Sequence, residues 1–171
     1  MVEWEQVVFA PNWSCRMSAV DEVLTSPEPY LEGQHDHTVD TKGRVSVPVD
    51  FRGLLALTEG DELVVTRHLK ERCLLVFWPQ AWQRFRDRIA EAPAPVATAL
   101  KRVVGGTARR VKVDRLGRIQ LPQVLRRYAE LEGKCFVMGQ GHSIEIWATD
   151  VWERTHGPER YADVDLSAFE L

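Results

Sequence analysis

Asp40-Thr-Lys-Gly-Arg-Val-Ser-Val-Pro48 returns 74 positions later as Asp114-Arg-Leu-Gly-Arg-Ile-Gln-Leu-Pro122, and this recurrence decides how the rest of the chain is read. Asp, Gly, Arg and Pro recur in place, and an aliphatic residue stands on each side of one polar residue in both copies. The likeness continues outward. Phe51-Arg52 matches Leu125-Arg126, and Glu59-Gly60 matches Glu132-Gly133 once one residue is dropped. Leu63-Val64-Val65 matches Phe136-Val137-Met138, and the stretch from Leu74 to Trp82 matches that from Ile144 to Trp152. A self-similarity of this length is the signature of a duplicated structural unit, here spanning about 34–90 and 106–156.

Each copy reads as strand, strand, helix, strand, strand. Val39 on one side of Thr41-Lys42-Gly43, with Val45 and Val47 on the other, alternates with polar residues and predicts a short hairpin with Gly in its turn. Pro48 and Pro122 stop the strands, because proline donates nothing to a ladder. Asp50 to Leu57 and Gln123 to Leu131 follow as short helices, with Gly60 and Gly133 expected to close them. A second hairpin pairs Leu63–Thr66 with Leu74–Phe77, and its counterpart pairs Phe136–Met138 with Ile144–Trp147. Trp82, Phe85 and Ile89 form an apolar stripe on a helix opened at Pro79 or Gln80. Glu91-Ala-Pro-Ala-Pro95 reads as a linker. Val96, Leu100, Val103 and Val104 make a further helical stripe, ended by Gly105-Gly106, and Trp152 belongs to a final helix.

The fold class is therefore α+β, mainly β, within 171 residues and 19.6 kDa. Four segments follow: an acidic N-terminal extension (1–32), expected to be largely disordered; a first unit with its following helix (33–93); a linker helix with the second unit (94–156); and an acidic C-terminal tail (157–171). Met17 is a second candidate start. If the whole extension is translated, it is an acidic segment able to compete for the chain's own basic turns.

Charge is distributed unevenly around a net −3. Residues 1–33 carry six acids and one base, whereas 101–127 carries nine bases against Asp114 alone. Such a basic block suits a phosphate backbone, although a solvated face has the same composition. No apolar run approaches the roughly 18 residues of a membrane span, and the acidic start is unlike a signal peptide. Cys15, Cys73 and Cys135 are odd in number and unpaired in motif, so neither a disulfide framework nor a zinc site is expected, and the compartment reads as cytoplasmic.

The stretch from Gly33 to Pro48, the second Asp-x-x-Gly-Arg copy, Cys73-Leu-Leu-Val-Phe77, Val104-Gly-Gly106 and Ile144-Glu-Ile-Trp147 together resemble the MraZ family of bacterial transcriptional regulators. The resemblance covers about 34–156. It implies a tandem SpoVT-AbrB fold, in which two AbrB-like units interleave as swapped hairpins in one small barrel. It further implies a ring-shaped homo-oligomer, associated with the nucleoid, that binds direct repeats of double-stranded DNA upstream of the division and cell-wall gene cluster. By the same resemblance Arg44 and Arg118 are the motif arginines that contact DNA, with Lys42 and Arg115 beside them. An arginine on a two-stranded ribbon can read guanine in the major groove through two parallel donors. Gly43 and Gly117 allow a tight turn close to phosphate. Asp40 and Asp114, which phosphate repels, are expected to accept hydrogen bonds from the turn amides or to orient their own arginines. Arg109, Arg110 and Lys112 are candidate phosphate contacts that position without specifying. Arg115 lies one place earlier in its turn than Lys42 does, so the two turns need not present the same surface.

No catalytic motif, phosphate loop or metal-ligand set appears, so neither enzyme activity nor a cofactor is expected. His35 and His37 flank Asp36 and share a strand face, but no third ligand is apparent. The rival to the regulator is an antitoxin-like interaction module, since AbrB-like folds also occur in antitoxins. That pattern has one unit and a long acidic tail, where this chain has two units and a short one.

Overall fold

The computed structural model describes residues 29–164. The first copy supplies strand β1 (Gln34–Thr38), strand β2 (Arg44–Ser46), helix α1 (Val49–Leu54), strands β3 (Glu62–Arg67) and β4 (Leu74–Phe77) and helix α2 (Pro79–Glu91). Helix α3 (Ala94–Leu100) continues into a π-helical turn, Lys101–Gly105. The second copy repeats the order with β5 (Arg109–Lys112), β6 (Arg118–Gln120), α4 (Gln123–Tyr128), β7 (Lys134–Gly139), β8 (Ile144–Ala148) and α5 (Thr149–Thr155). A 3-10 turn, Pro158–Tyr161, follows. The duplicated strand–strand–helix–strand–strand unit is thus present twice, in a mainly antiparallel β fold with short helices.

The hairpin expected around Thr41-Lys42-Gly43 requires a correction. Its turn closes, with Gly43 N–H donating to Asp40 O (2.7 Å) and Asp40 N–H to Arg44 O (2.9 Å), but its arms then part. β1 pairs antiparallel with β7, from Gln34 opposite Met138 to Thr38 opposite Lys134. β2 pairs with β6, with Val45 opposite Ile119. In the other copy β5 leaves β6 and pairs with β3. The resulting sheets run β1-β7-β8-β4-β3-β5 and β2-β6, so strands of the two copies interleave as the swapped arrangement implies. The physical reason is length. Three residues of β2 cannot bury Val45 and Val47 against their own arm, whereas crossing to the other copy leaves these two valines 1% and 4% exposed.

The register reveals a pseudo-twofold axis. Val45 and Ile119 are equivalent in the repeat and pair with each other, and so are Leu75 and Glu145 in the β4–β8 pair. Val45 and Ile119 point into the core, as do Leu74, Val76, Ile144 and Ile146 around the second pair. Side chains alternate along a strand, so Leu75 and Glu145 point outward, at the pole opposite the outer face of the β2–β6 ribbon.

Two helix ends also differ from expectation. Gly60 and Gly133 do not close α1 and α4; both lie in the loops that enter β3 and β7. The left-handed positions are Ala56 (φ 49°) and Glu130 (φ 54°). Around them Leu57 N–H reaches back to Arg52 O (2.9 Å) and Leu131 N–H to Arg126 O (3.0 Å), the long bond of a Schellman cap. The expected linker shrinks to Ala92 and Pro93, because Pro95 fits the first turn of α3, where its missing N–H costs nothing. Thr66, fully buried, holds the π-turn to β3 by donating to Val104 O (2.5 Å).

Leu31 falls within the segment read as an extension, yet it is 0% exposed and exchanges two backbone hydrogen bonds with Gly141. The expected disorder of residues 1–28 and most of the acidic tail, 165–171, lie outside the described residues. Cys73 and Cys135 are buried in the core, as their apolar runs require, and burial raises both thiols, Cys135 to about 12. His35 lies edge-on to Phe51 (ring centroids 5.0 Å) and so helps seat α1. Among the described residues no cluster of three or more His, Cys, Asp or Glu could hold a metal, and no helix is long and apolar enough to cross a membrane.

Candidate nucleic-acid interface

The ribbon of β2 and β6 has one buried and one outward face. Val45 and Ile119 face inward; their strand neighbours Arg44, Ser46, Arg118 and Gln120 therefore share the outer face, with Arg44 opposite Gln120 and Ser46 opposite Arg118. The two turns extend the ribbon at its opposite ends, since each strand begins immediately after its own turn. Val47 N–H donates to Gly117 O and Leu121 N–H to Gly43 O, both at 2.9 Å, locking each turn to the other copy's strand.

Both motif aspartates have the same job. Asp40 Oδ1 accepts the amides of Lys42 and Arg44 (2.9 Å each), while Oδ2 accepts Arg44 Nε (2.8 Å) and lies 2.7 Å from Nη2. Asp114 repeats this with the amides of Leu116 and Arg118 (2.9 Å each), Arg118 Nε (2.9 Å) and Nη2 (2.8 Å). Both alternatives expected for the aspartates, amide acceptance and arginine orientation, are therefore realised together. These bonds hold each carboxyl at about 2, well below its usual range, with the arginine side chain's hydrogen bond the largest cause. Arg118 Nη1 also stands 4.0 Å from Asp40 Oδ2, so the two pairs form one charged patch.

A guanidinium has five N–H donors, and the aspartate engages only the Nε and Nη2 side. On Arg44 this leaves Nη1 and the remaining Nη2 hydrogen unengaged by Asp40, a planar pair of donors suited to bidentate recognition, whereas on Arg118 Nη1 faces Asp40 as well as its own side of the patch. Lys42 and Arg115 are exposed on the turns. Arg109, Arg110 and Lys112 are not gathered onto the ribbon. They lie along β5, where Arg110 pairs with Glu62 (3.3 Å), Arg109 Nη1 donates to Ala108 O (2.8 Å), and Lys112 stands opposite Glu62.

The structure adds two arginines that the turn motif does not contain. A Cβ on Gly43 would meet Arg126 Cζ and Nε at 2.6 Å, and one on Gly117 would meet Arg52 Cζ at 2.5 Å. Each helix thus lays an arginine across the other copy's turn. Both glycines also have positive φ, 77° and 74°. The matched pair Phe51-Arg52 and Leu125-Arg126 was the available signal; each apolar residue anchors its helix in the core and the next residue points to the ribbon. Gln120 joins the site through Nε2, which donates to Lys42 O (2.6 Å).

The profile of the family described as "MraZ protein, putative antitoxin-like" matches residues 30–103 and 105–158, one stretch for each copy. The chain belongs to the MraZ family. Proteins named "Transcriptional regulator MraZ" are similar along most of their length. That of Legionella pneumophila (strain Corby) is 40% identical over 118 residues, covering 68% of this chain and 78% of its own. Those of Marinomonas sp. (strain MWYL1) and Coxiella burnetii (strain Dugway 5J108-111) are 39% and 35% identical over 125 residues, covering 72% of this chain and 83% and 82% of theirs. A solution structure of PHS018 from Pyrococcus horikoshii matches at a TM-score of 0.32 and 15% identity, over 68% of this chain and 87% of that one, too distant to bear on the fold. The MraZ match begins at residue 30, just before Leu31 bridges to Gly141, and it includes α2 and α3 as well as both strands of the ribbon.

Proposed function

We propose that this MraZ-family protein is a transcriptional regulator that binds double-stranded DNA in a sequence-specific way, without enzymatic activity or a cofactor. The observation that carries this reading is the β2–β6 ribbon, on which two aspartate-oriented arginines share one outer face between two exposed basic turns. A two-stranded ribbon fits the major groove, and the guanidinium groups of Arg44 and Arg118 on its outer face carry the paired donors that guanine O6 and N7 accept. Lys42 and Arg115 supply phosphate contacts from the turns, and Arg109, Arg110 and Lys112 along β5 are the outlying ones. The names of the similar proteins support the same regulatory role.

One ribbon spans only a few base pairs. Repetition raises affinity by effective concentration, so the working form is a homo-oligomer, proposed as a ring, on direct repeats upstream of the division and cell-wall gene cluster. Its place is the cytoplasm, on the nucleoid. A second reading, an antitoxin-like module, is favoured by the words of the family description alone.

Fluorescence anisotropy with DNA from upstream of the protein's own operon tests the proposal. Specific binding is expected to weaken steeply with salt, by roughly a thousandfold between 50 and 200 mM if about six phosphates are neutralised. Arg44→Ala and Arg118→Ala are each expected to lose about tenfold or more in discrimination against scrambled DNA. Equal binding of both DNAs by the wild type would overturn the sequence-specific reading.

A further inference from the structure

At the pole opposite the ribbon, the outer face of the β4–β8 pair is covered closely, with Leu75 8% and Phe77 5% exposed, and an open groove remains at its edge beside α2. Leu75 and Phe77 face outward there, Phe85 of α2 stacks on Phe77 (5.1 Å between centroids), and Tyr30 stands at the end where the described chain begins. They border an open groove of about 590 Å³. Arg84 and Arg88 of α2 line its wall, together with His68 and His142. Among the described residues its one carboxylate is Glu145, which accepts Trp147 Nε1 at 2.7 Å. The groove is thus apolar below and mainly cationic at the side.

The chain's own N-terminal segment leads to this groove. Residues 1–28 precede Pro29 and Tyr30, and the last nine of them read Val20-Asp-Glu-Val-Leu-Thr-Ser-Pro-Glu28. Three aliphatic residues and three carboxylates complement an apolar floor with an arginine wall. Nine residues reach at most about 30 Å when extended, ample for a groove of this size that begins at Tyr30. We propose that residues 20–28 dock in this groove, with Val23 and Leu24 on the Leu75, Phe77 and Phe85 floor and Asp21 and Glu22 against Arg84 and Arg88. The docking does not depend on the DNA-binding reading. It also removes the expected competition between the acidic segment and DNA, because groove and ribbon lie at opposite ends of the pseudo-twofold axis.

The test uses the full chain with Cys15→Ser and a reporter, Ser143→Cys, on the groove wall. Cys73 and Cys135 are buried, with thiols raised by desolvation, and stay silent. Alkylation of the reporter by iodoacetamide is expected to quicken about fivefold when Val23→Asp and Leu24→Asp are added, as for a segment docked most of the time. Both added substitutions lie outside the described core, and circular dichroism checks that the fold is kept. Thr25→Cys, added to the reporter chain and oxidised mildly, is expected to form a disulfide that runs at monomer mass on a denaturing gel. An unchanged alkylation rate overturns the proposal. So does a disulfide found only between chains, which would make a second copy the occupant.

Discussion

Asp40 is a carboxylate on the surface proposed to meet phosphate. It repels DNA as a charge, yet it collects two turn amides and one edge of Arg44, and so decides where the guanidinium points. Asp40→Asn keeps an acceptor for the amides and releases the arginine. We expect its affinity for scrambled DNA to rise, since one negative charge is gone, while discrimination falls by about tenfold. Anisotropy on matched and scrambled DNA reads both, and a uniform gain in affinity would mean that Arg44 needs no orientation. The pH dependence has a definite sign. A carboxyl held at about 2 in the fold, against 3.8 ordinarily, contributes stability that is complete above about pH 4 and is lost as pH falls toward 2. Carboxyl carbon NMR shifts of Asp40 and Asp114 are expected to stay flat from pH 8 to about 4, so neither aspartate switches binding in a living cell.

At the scale of elements, the helix ends are where local conformation is least satisfied. Ala56 and Glu130 occupy left-handed backbone that glycine adopts freely and L residues do not, a difference of about 1 kcal/mol. Ala56→Gly therefore stabilises the fold by about that amount, raising the melting temperature by roughly 2–6 °C. Calorimetry checks it, and a lowered midpoint would mean that Ala56 makes contacts worth more than its strain. The same position shows what the sequence could not carry. Gly60 and Gly133 look like helix stops because glycine is the usual residue there, but the cap is set by Leu57 and Leu131, which are drawn toward the core and end the helices earlier. The β3–β4 and β7–β8 pairs were legible, because each joins neighbouring strands. The partners of β1 and β2 were not, because Gln34 meets Met138 and nothing local in either stretch names the other. The site divided similarly: the motif residues were visible through their repetition, while Arg52 and Arg126 reach the turns only through the exchange of strands.

For the whole molecule, the pseudo-twofold axis means that neither copy is a domain in the folding sense. β1 has its partner in β7 and β5 has its partner in β3, so a chain cut between the copies leaves β1, β2, β3 and β4 each with an unpaired edge and opens the shared core. Those edges have one good substitute. In a symmetric dimer of residues 29–103, β1 pairs with the other chain's β3, β4 pairs with β4, and Val45 meets Val45 where it now meets Ile119. The isolated first copy is therefore expected to be unfolded when dilute and to fold only as it dimerises, with secondary structure that rises with concentration. Circular dichroism across a concentration series, with sedimentation to give mass, reads both properties. A folded monomer would mean that the hairpin closes on itself after all, and that the exchange of strands is a consequence of covalent linkage rather than the way this unit buries its core.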